Sequence, residues 1–298
     1  MMSLAALYIL CRFTHFVAVM LMFGFSVFTA ILVPERLSVL IDARLRLGVI
    51  ISTVVTLITT IGWLAIQAGI MGDGWQDIYN LEIWLAVLGT TFGKVWQWQI
   101  LISIVATGFL FISKQKARNI LMLISSTVLL ACHAFIGHSV MHDGITGVFS
   151  QVNQVIHLVS VGYWFGGLWP FLLCLQFLRI KNELAVGLDK QIMISMMRFS
   201  TYGHVAVTLI IITGIISSLI LLPNWPKYSG SEYQSMLWLK IALVAGMVML
   251  ALINRYILVP KLKQPGRYQL LIINSWIEII LGALVLLCVA AFATYQPV

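Results

Sequence analysis

The chain has 298 residues, 61% of them hydrophobic and 9% charged, with a mean hydropathy of +1.00. A soluble domain carries about 25% charged residues, so the polar surface that would wrap an apolar core in water is missing. Soluble-enzyme, disordered and β-barrel readings fall away, and the net charge of +8 points to cytoplasmic loops of a membrane protein rather than to nucleic acid.

Eight apolar spans are predicted, at about 4–33, 48–71, 94–113, 120–137, 151–178, 203–222, 236–258 and 268–293. Each can cross roughly 30 Å of hydrocarbon as a helix. The links are short, so the expectation is one all-α integral membrane domain over residues 1–298. The stretch Leu81–Thr91 is expected on the interface, with Trp75, Trp84 and Trp96 at headgroup depth.

Orientation follows from the basic residues. Alternate links hold Arg36, Arg44 and Arg46; Lys114, Lys116 and Arg118; Arg179, Lys181, Lys190 and Arg198; and Lys261, Lys263 and Arg267. With Arg255 they make 14 of the 18 basic residues, so this side is predicted to be cytoplasmic and both termini periplasmic. On that topology five of the six histidines fall in the outer half: His15, His133, His138, His142 and His157. Only His204 lies towards the cytoplasm.

An internal repeat emerges when spans one and five are aligned. His15 to Gly24 matches His157 to Gly166 at five of ten positions, with an offset of 142. Phe92–Gln99 and Tyr233–Lys240 align at nearly the same offset. Four spans separate the members of each pair, so the halves (about 1–142 and 143–298) are expected to run parallel around an axis along the membrane normal.

His15 and His157 thereby become pseudo-equivalent, and an imidazole in hydrocarbon needs a partner or a metal. The densest cluster is Cys132-His133 followed by His138, Met141, His142 and Asp143. Imidazole suits copper in either oxidation state, and a thioether favours Cu(I). The remaining methionines are expected to pack or face lipid. Glu278, in the middle of span eight, is a candidate proton or cation site, or the structural partner of a group such as Ser275. The Gly166-Gly167 pair is expected to let helices approach closely. The four cysteines are scattered and expected to be buried thiols rather than a disulfide framework or soft-metal cluster. No P-loop, dinucleotide fingerprint, haem-attachment CxxCH or HExxH motif is present.

At these residues the chain resembles the bacterial copper resistance protein D family (CopD/PcoD). The matching stretches are Arg12-Phe-Thr-His15, Thr91-Phe-Gly-Lys-Val-Trp96, Gly137-His138, and His157 with Trp164-Phe-Gly-Gly-Leu168. Arg198-Phe-Ser200, Thr213-Gly214, Leu239-Lys240, Asn254-Arg255 and Ser275 with Glu278 continue the series. The family's Gly-His-Ala reads Gly-His-Ser here. The resemblance implies an inner-membrane protein that moves copper towards the cytoplasm with a periplasmic CopC-type partner.

The expected function is therefore copper transport across the bacterial inner membrane, in a lipid bilayer and with homo-oligomerisation open. Copper, as Cu(I) or Cu(II), is received by His15, His133, His138, Met141, His142 and His157. The rival is a membrane b-type cytochrome, with His15 and His157 as axial ligands of haem b in electron transfer or copper reduction.

Overall fold

Hydrocarbon offers no hydrogen bonds, so a backbone that enters it satisfies itself within helices or a closed barrel. The computed structural model describes residues 3–137, 143–179, 187–222, 226, 232–262 and 264–292, and among these there is no strand. Helix α1 (Leu4–Val27) opens at Ser3, whose side chain accepts from the Ala6 N–H at 3.1 Å, and it continues through a π-helical turn at Phe28–Leu32. Then come α2 (Glu35–Met71), α3 (Leu81–Gly89), α4 (Thr91–Phe109) and α5 (Gln115–Cys132), the last prolonged by a 3-10 turn at His133–Phe135. The second half holds α6 (Gly144–Arg179), α7 (Asp189–Leu221), α8 (Glu232–Ile253) and α9 (Arg267–Phe292). A second π turn, Asn254–Leu258, follows α8.

Seven of these segments are long and apolar enough to cross a membrane: α1, α2, α5, α6, α7, α8 and α9, the first, third and sixth with their extra turns. Helix α4 has 19 residues but carries Lys94, Gln97 and Gln99, and it is not among the seven. Several helices outrun the apolar spans. Helix α2 starts at Glu35 rather than near 48, and α6 at Gly144 (φ +64°) rather than near 151. Hydropathy finds the part of a helix that fits hydrocarbon, whereas the hydrogen-bond ladder runs on through Arg36, Arg44 and Arg46.

Helices α1 and α6 form the centre. The first packs on α2, α5, α6 and α9, the second on α7, while α4 lies against α2 and α5, and α8 against α9. The two central helices cross at glycine. A Cβ on Gly24 would lie 2.1 Å from the carbonyl carbon of Gly166, and one on Gly166 would lie 2.1 Å from the Met20 oxygen. Backbones this close leave room for hydrogen alone, so Gly166 serves the close approach expected of it. Gly167 instead faces the Phe199 ring.

The basic residues also have structural partners. Arg46 Nη2 donates to the Leu110 carbonyl at 3.0 Å and Arg198 Nη1 to the Leu32 carbonyl at 3.2 Å. Cations at helix C-termini satisfy carbonyls that have no partner in the helix. Arg118 pairs with Asp42 at 2.6 Å, both nearly buried. Trp75 is about half exposed and α3 presents Leu81 and Leu85 outward, but Trp96 is wholly buried. Its ring stacks on Phe92 and its Nε1 donates to the Thr60 carbonyl at 2.8 Å, so the bundle already satisfies the polar edge that would favour a headgroup.

Candidate metal site

A histidine ring with one nitrogen protonated presents the other as a lone pair, and the neighbours decide which. On α1, His15 Nδ1 lies 2.9 Å from Thr59 Oγ1 of α2. That hydroxyl has one proton, and it goes to the Val55 carbonyl at 2.6 Å. Nδ1 is therefore the donor, and Nε2 carries the lone pair.

On α6, His157 repeats the arrangement. Its Nδ1 lies 2.8 Å from Thr213 Oγ1 of α7, whose proton goes back to the Leu209 carbonyl. His133, at the end of α5, has Nδ1 at 2.7 Å from the Leu129 carbonyl. A carbonyl only accepts, so this proton too sits on Nδ1. Gln99 Nε2 donates to the same carbonyl at 3.1 Å and lies beside the ring. All three imidazoles thus carry the proton on Nδ1 and the lone pair on Nε2, which is the tautomer that outer partners impose on metal-ligating histidines.

His204 differs. Its Nδ1 donates to the Ser200 carbonyl at 2.7 Å, and Nε2 accepts from the Tyr256 hydroxyl at 3.1 Å. No lone pair is left over.

The ring beside His15 is that of His133, with centroids 5.0 Å apart. Both Nε2 atoms are buried without a hydrogen-bond partner. Trp63, Trp96 and Phe16 close around the pair, and the Arg12 guanidinium lies over the Tyr8, Phe16 and Trp63 rings at 5.1–5.8 Å. Leaving a buried acceptor unpaired costs about 1–3 kcal/mol each, a cost that a cation bound at the nitrogen would relieve.

His133 and His157 line one cavity of about 360 Å³, set among α1, α6, α7, α8 and α9 at the histidine-rich end. His138, Met141 and His142 lie outside the described residues. Among the described residues no three His, Cys, Asp or Glu side chains gather as a metal site. What the structure assembles is two imidazoles, with a third across a cavity.

Glu278 on α9 is 2% exposed. Its Oε1 accepts from Asn254 Nδ2 at 2.6 Å and its Oε2 from Trp164 Nε1 at 3.3 Å, while Asn274 Nδ2 donates to Asn254 Oδ1 at 2.9 Å. Ser275, the partner suggested by sequence, donates instead to the Leu271 carbonyl. The carboxyl lines a second cavity of about 230 Å³ towards the arginine-rich end. Trp164 belongs to the walls of both cavities and stands between them. All four cysteines are free thiols, but only Cys174 is buried and the other three are partly exposed.

Sequence reasoning did not single out Thr59, Thr213 as a histidine partner, Gln99 or Trp164 as the Glu278 donor. The threonines lie 44 and 56 residues from their histidines, so no fixed offset flags them. Thr213-Gly214 was nonetheless among the family-like stretches.

Residues 1–148 match the family described as copper resistance protein D-like, N-terminal domain, and residues 193–292 match copper resistance protein D. The chain is 35% identical to the inner membrane protein YebZ of Escherichia coli (strain K12), over 99% of both chains. It is 32% identical to copper resistance protein D of Pseudomonas syringae pv. tomato over 136 residues, 45% of this chain and 42% of that protein. No solved structure matches.

Proposed function

The chain belongs to the copper resistance protein D family, and from that premise we propose that it transports copper across the bacterial inner membrane. Copper enters from the periplasmic side, handed over by a CopC-type protein, and is held by Nε2 of His15 and His133. His157 across the cavity and His138, Met141 and His142 in the adjoining segment complete the receiving set. One observation carries this reading: two buried imidazoles at 5.0 Å, both with the proton fixed on Nδ1 and Nε2 unpartnered. Copper is the cargo here, and two neutral nitrogen donors suit either oxidation state.

The haem b alternative gains no support, since the matched families and relatives carry copper or membrane names. His15 is moreover backed by His133, and each pseudo-equivalent histidine turns to a threonine of its own half. The His–Thr bonds support a duplicated architecture of two parallel four-helix halves with α4 as the eighth span, and the distribution of lysine and arginine supports periplasmic termini. Glu278 serves as a proton or cation site on the way to the cytoplasm.

Copper affinity measured by competition with a chromophoric chelator tests the ligands. His15→Gln or His133→Gln is expected to lower affinity at least about tenfold, while His204→Gln leaves it unchanged. Wild-type affinity in both of the first two variants would overturn the site. The orientation has its own test. Cysteine at Gly144 should react with an impermeant thiol reagent from outside and cysteine at Gln264 should not; the reverse pattern would invert the topology.

A further inference from the structure

The cavity at the arginine-rich end is lined by three thioethers that the histidine site does not use. Met193, Met196 and Met197 sit on α7 at spacings of three and four, so they share one face of the helix. Met196 is buried, and the other two border open space. Their cavity also holds the Glu278 carboxyl, Asn254, His204 and Arg255.

Both His204 nitrogens there are bonded, and each Glu278 oxygen already accepts one hydrogen bond, from Asn254 or Trp164. The three thioethers line this cavity and offer a guest their sulfur lone pairs. Thioethers are neutral and soft, so they select Cu(I) over Cu(II) or zinc. Glu278 is the carboxyl in the same cavity that can balance a guest's positive charge. The neighbouring π turn begins at Asn254, the residue that holds Glu278 Oε1. Such turns recur inside helices at functional sites.

We propose that Met193, Met196 and Met197 form a second copper site on the cytoplasmic side of Trp164, specific for Cu(I), with Glu278 as its counter-charge. This rests on the copper-transport reading and adds a station to it. Copper leaves the imidazoles of one cavity for the thioethers of the next, and Trp164, hydrogen-bonded to Glu278, is the wall between them.

The full chain in detergent micelles is titrated with Ag(I), a redox-inert stand-in for Cu(I). A variant with Met193→Leu, Met196→Leu and Met197→Leu is compared with one carrying His15→Gln and His133→Gln. Leucine conserves volume, so the core tolerates it. The methionine variant should lose one equivalent of silver and keep the histidine equivalent, and the histidine variant should do the reverse. Cu(I)-loaded selenomethionine protein should show selenium scattering at the copper edge, reduced in the methionine variant. If the triple variant does not fold, Met193→Leu and Met197→Leu singly decide, each expected to weaken the methionine-dependent equivalent at least about tenfold. Unchanged silver stoichiometry and an unchanged selenium shell would overturn the second site while leaving the first standing. A wild-type protein that binds no monovalent copper or silver would overturn both.

Discussion

The two histidine–threonine pairs start alike and end differently. In each, a histidine donates Nδ1–H to a threonine on the next helix, α1 to α2 and α6 to α7, at 2.9 and 2.8 Å. Around His15 the space is then closed by Trp63, Trp96, Phe16 and His133, and the residue is fully buried. Around His157 it stays open as a cavity wall, with Lys240 and Gln154 among the other lining residues. The same local device thus sits in a sealed pair at His15 and on a cavity wall at His157.

The largest expected effect tests the crossing on which both halves depend. Gly166→Leu or Gly24→Leu would force the α1 and α6 backbones apart, at a cost on the order of 3 kcal/mol or more. Their thermal midpoints in detergent should fall steeply and by similar amounts. Gly108→Ala, where an added Cβ meets nothing within 4 Å, should leave the midpoint unchanged. Asp42→Asn leaves Arg118 without its carboxylate at the arginine-rich end. Because the pair is nearly buried, the loss of stability should be on the order of 3 kcal/mol, while copper affinity should not change.

The sharpest use of the comparison is one substitution made twice. Thr59→Val removes the acceptor of a sealed imidazole N–H and should cost about 1–3 kcal/mol of stability. Thr213→Val does the same beside a cavity that can admit water, so the cost should be about 1 kcal/mol or less. Equal losses in chemical-denaturation midpoints would break the distinction between closed and open sites.

Hydropathy made the long helices legible, because about twenty apolar residues in a row have one structural use. It misplaced their ends, since helices α2 and α6 continue on hydrogen bonds that hydropathy does not see. It also assigned Trp96 to an interface on the strength of residue type, although the carbonyl of Thr60 satisfies its indole inside the bundle. The histidines stood out because charged and basic groups are so few. Which of them meet did not, because pairing His15 with His133 depends on how α1 and α5 rotate about their axes. The repeat pointed to His15 and His157 as equivalents. It could not say that each would turn to its own half, towards Thr59 and Thr213.

A double-mutant cycle on copper affinity tests the central claim most directly, using variants with wild-type thermal midpoints. If His15 and His133 hold one ion, replacing both with glutamine should cost little more than the worse single replacement, a coupling of about 0.5–3 kcal/mol. Pairing either change with His204→Gln should give simple additivity. Fully additive losses at His15 and His133, or no loss at either, would contradict a shared copper site.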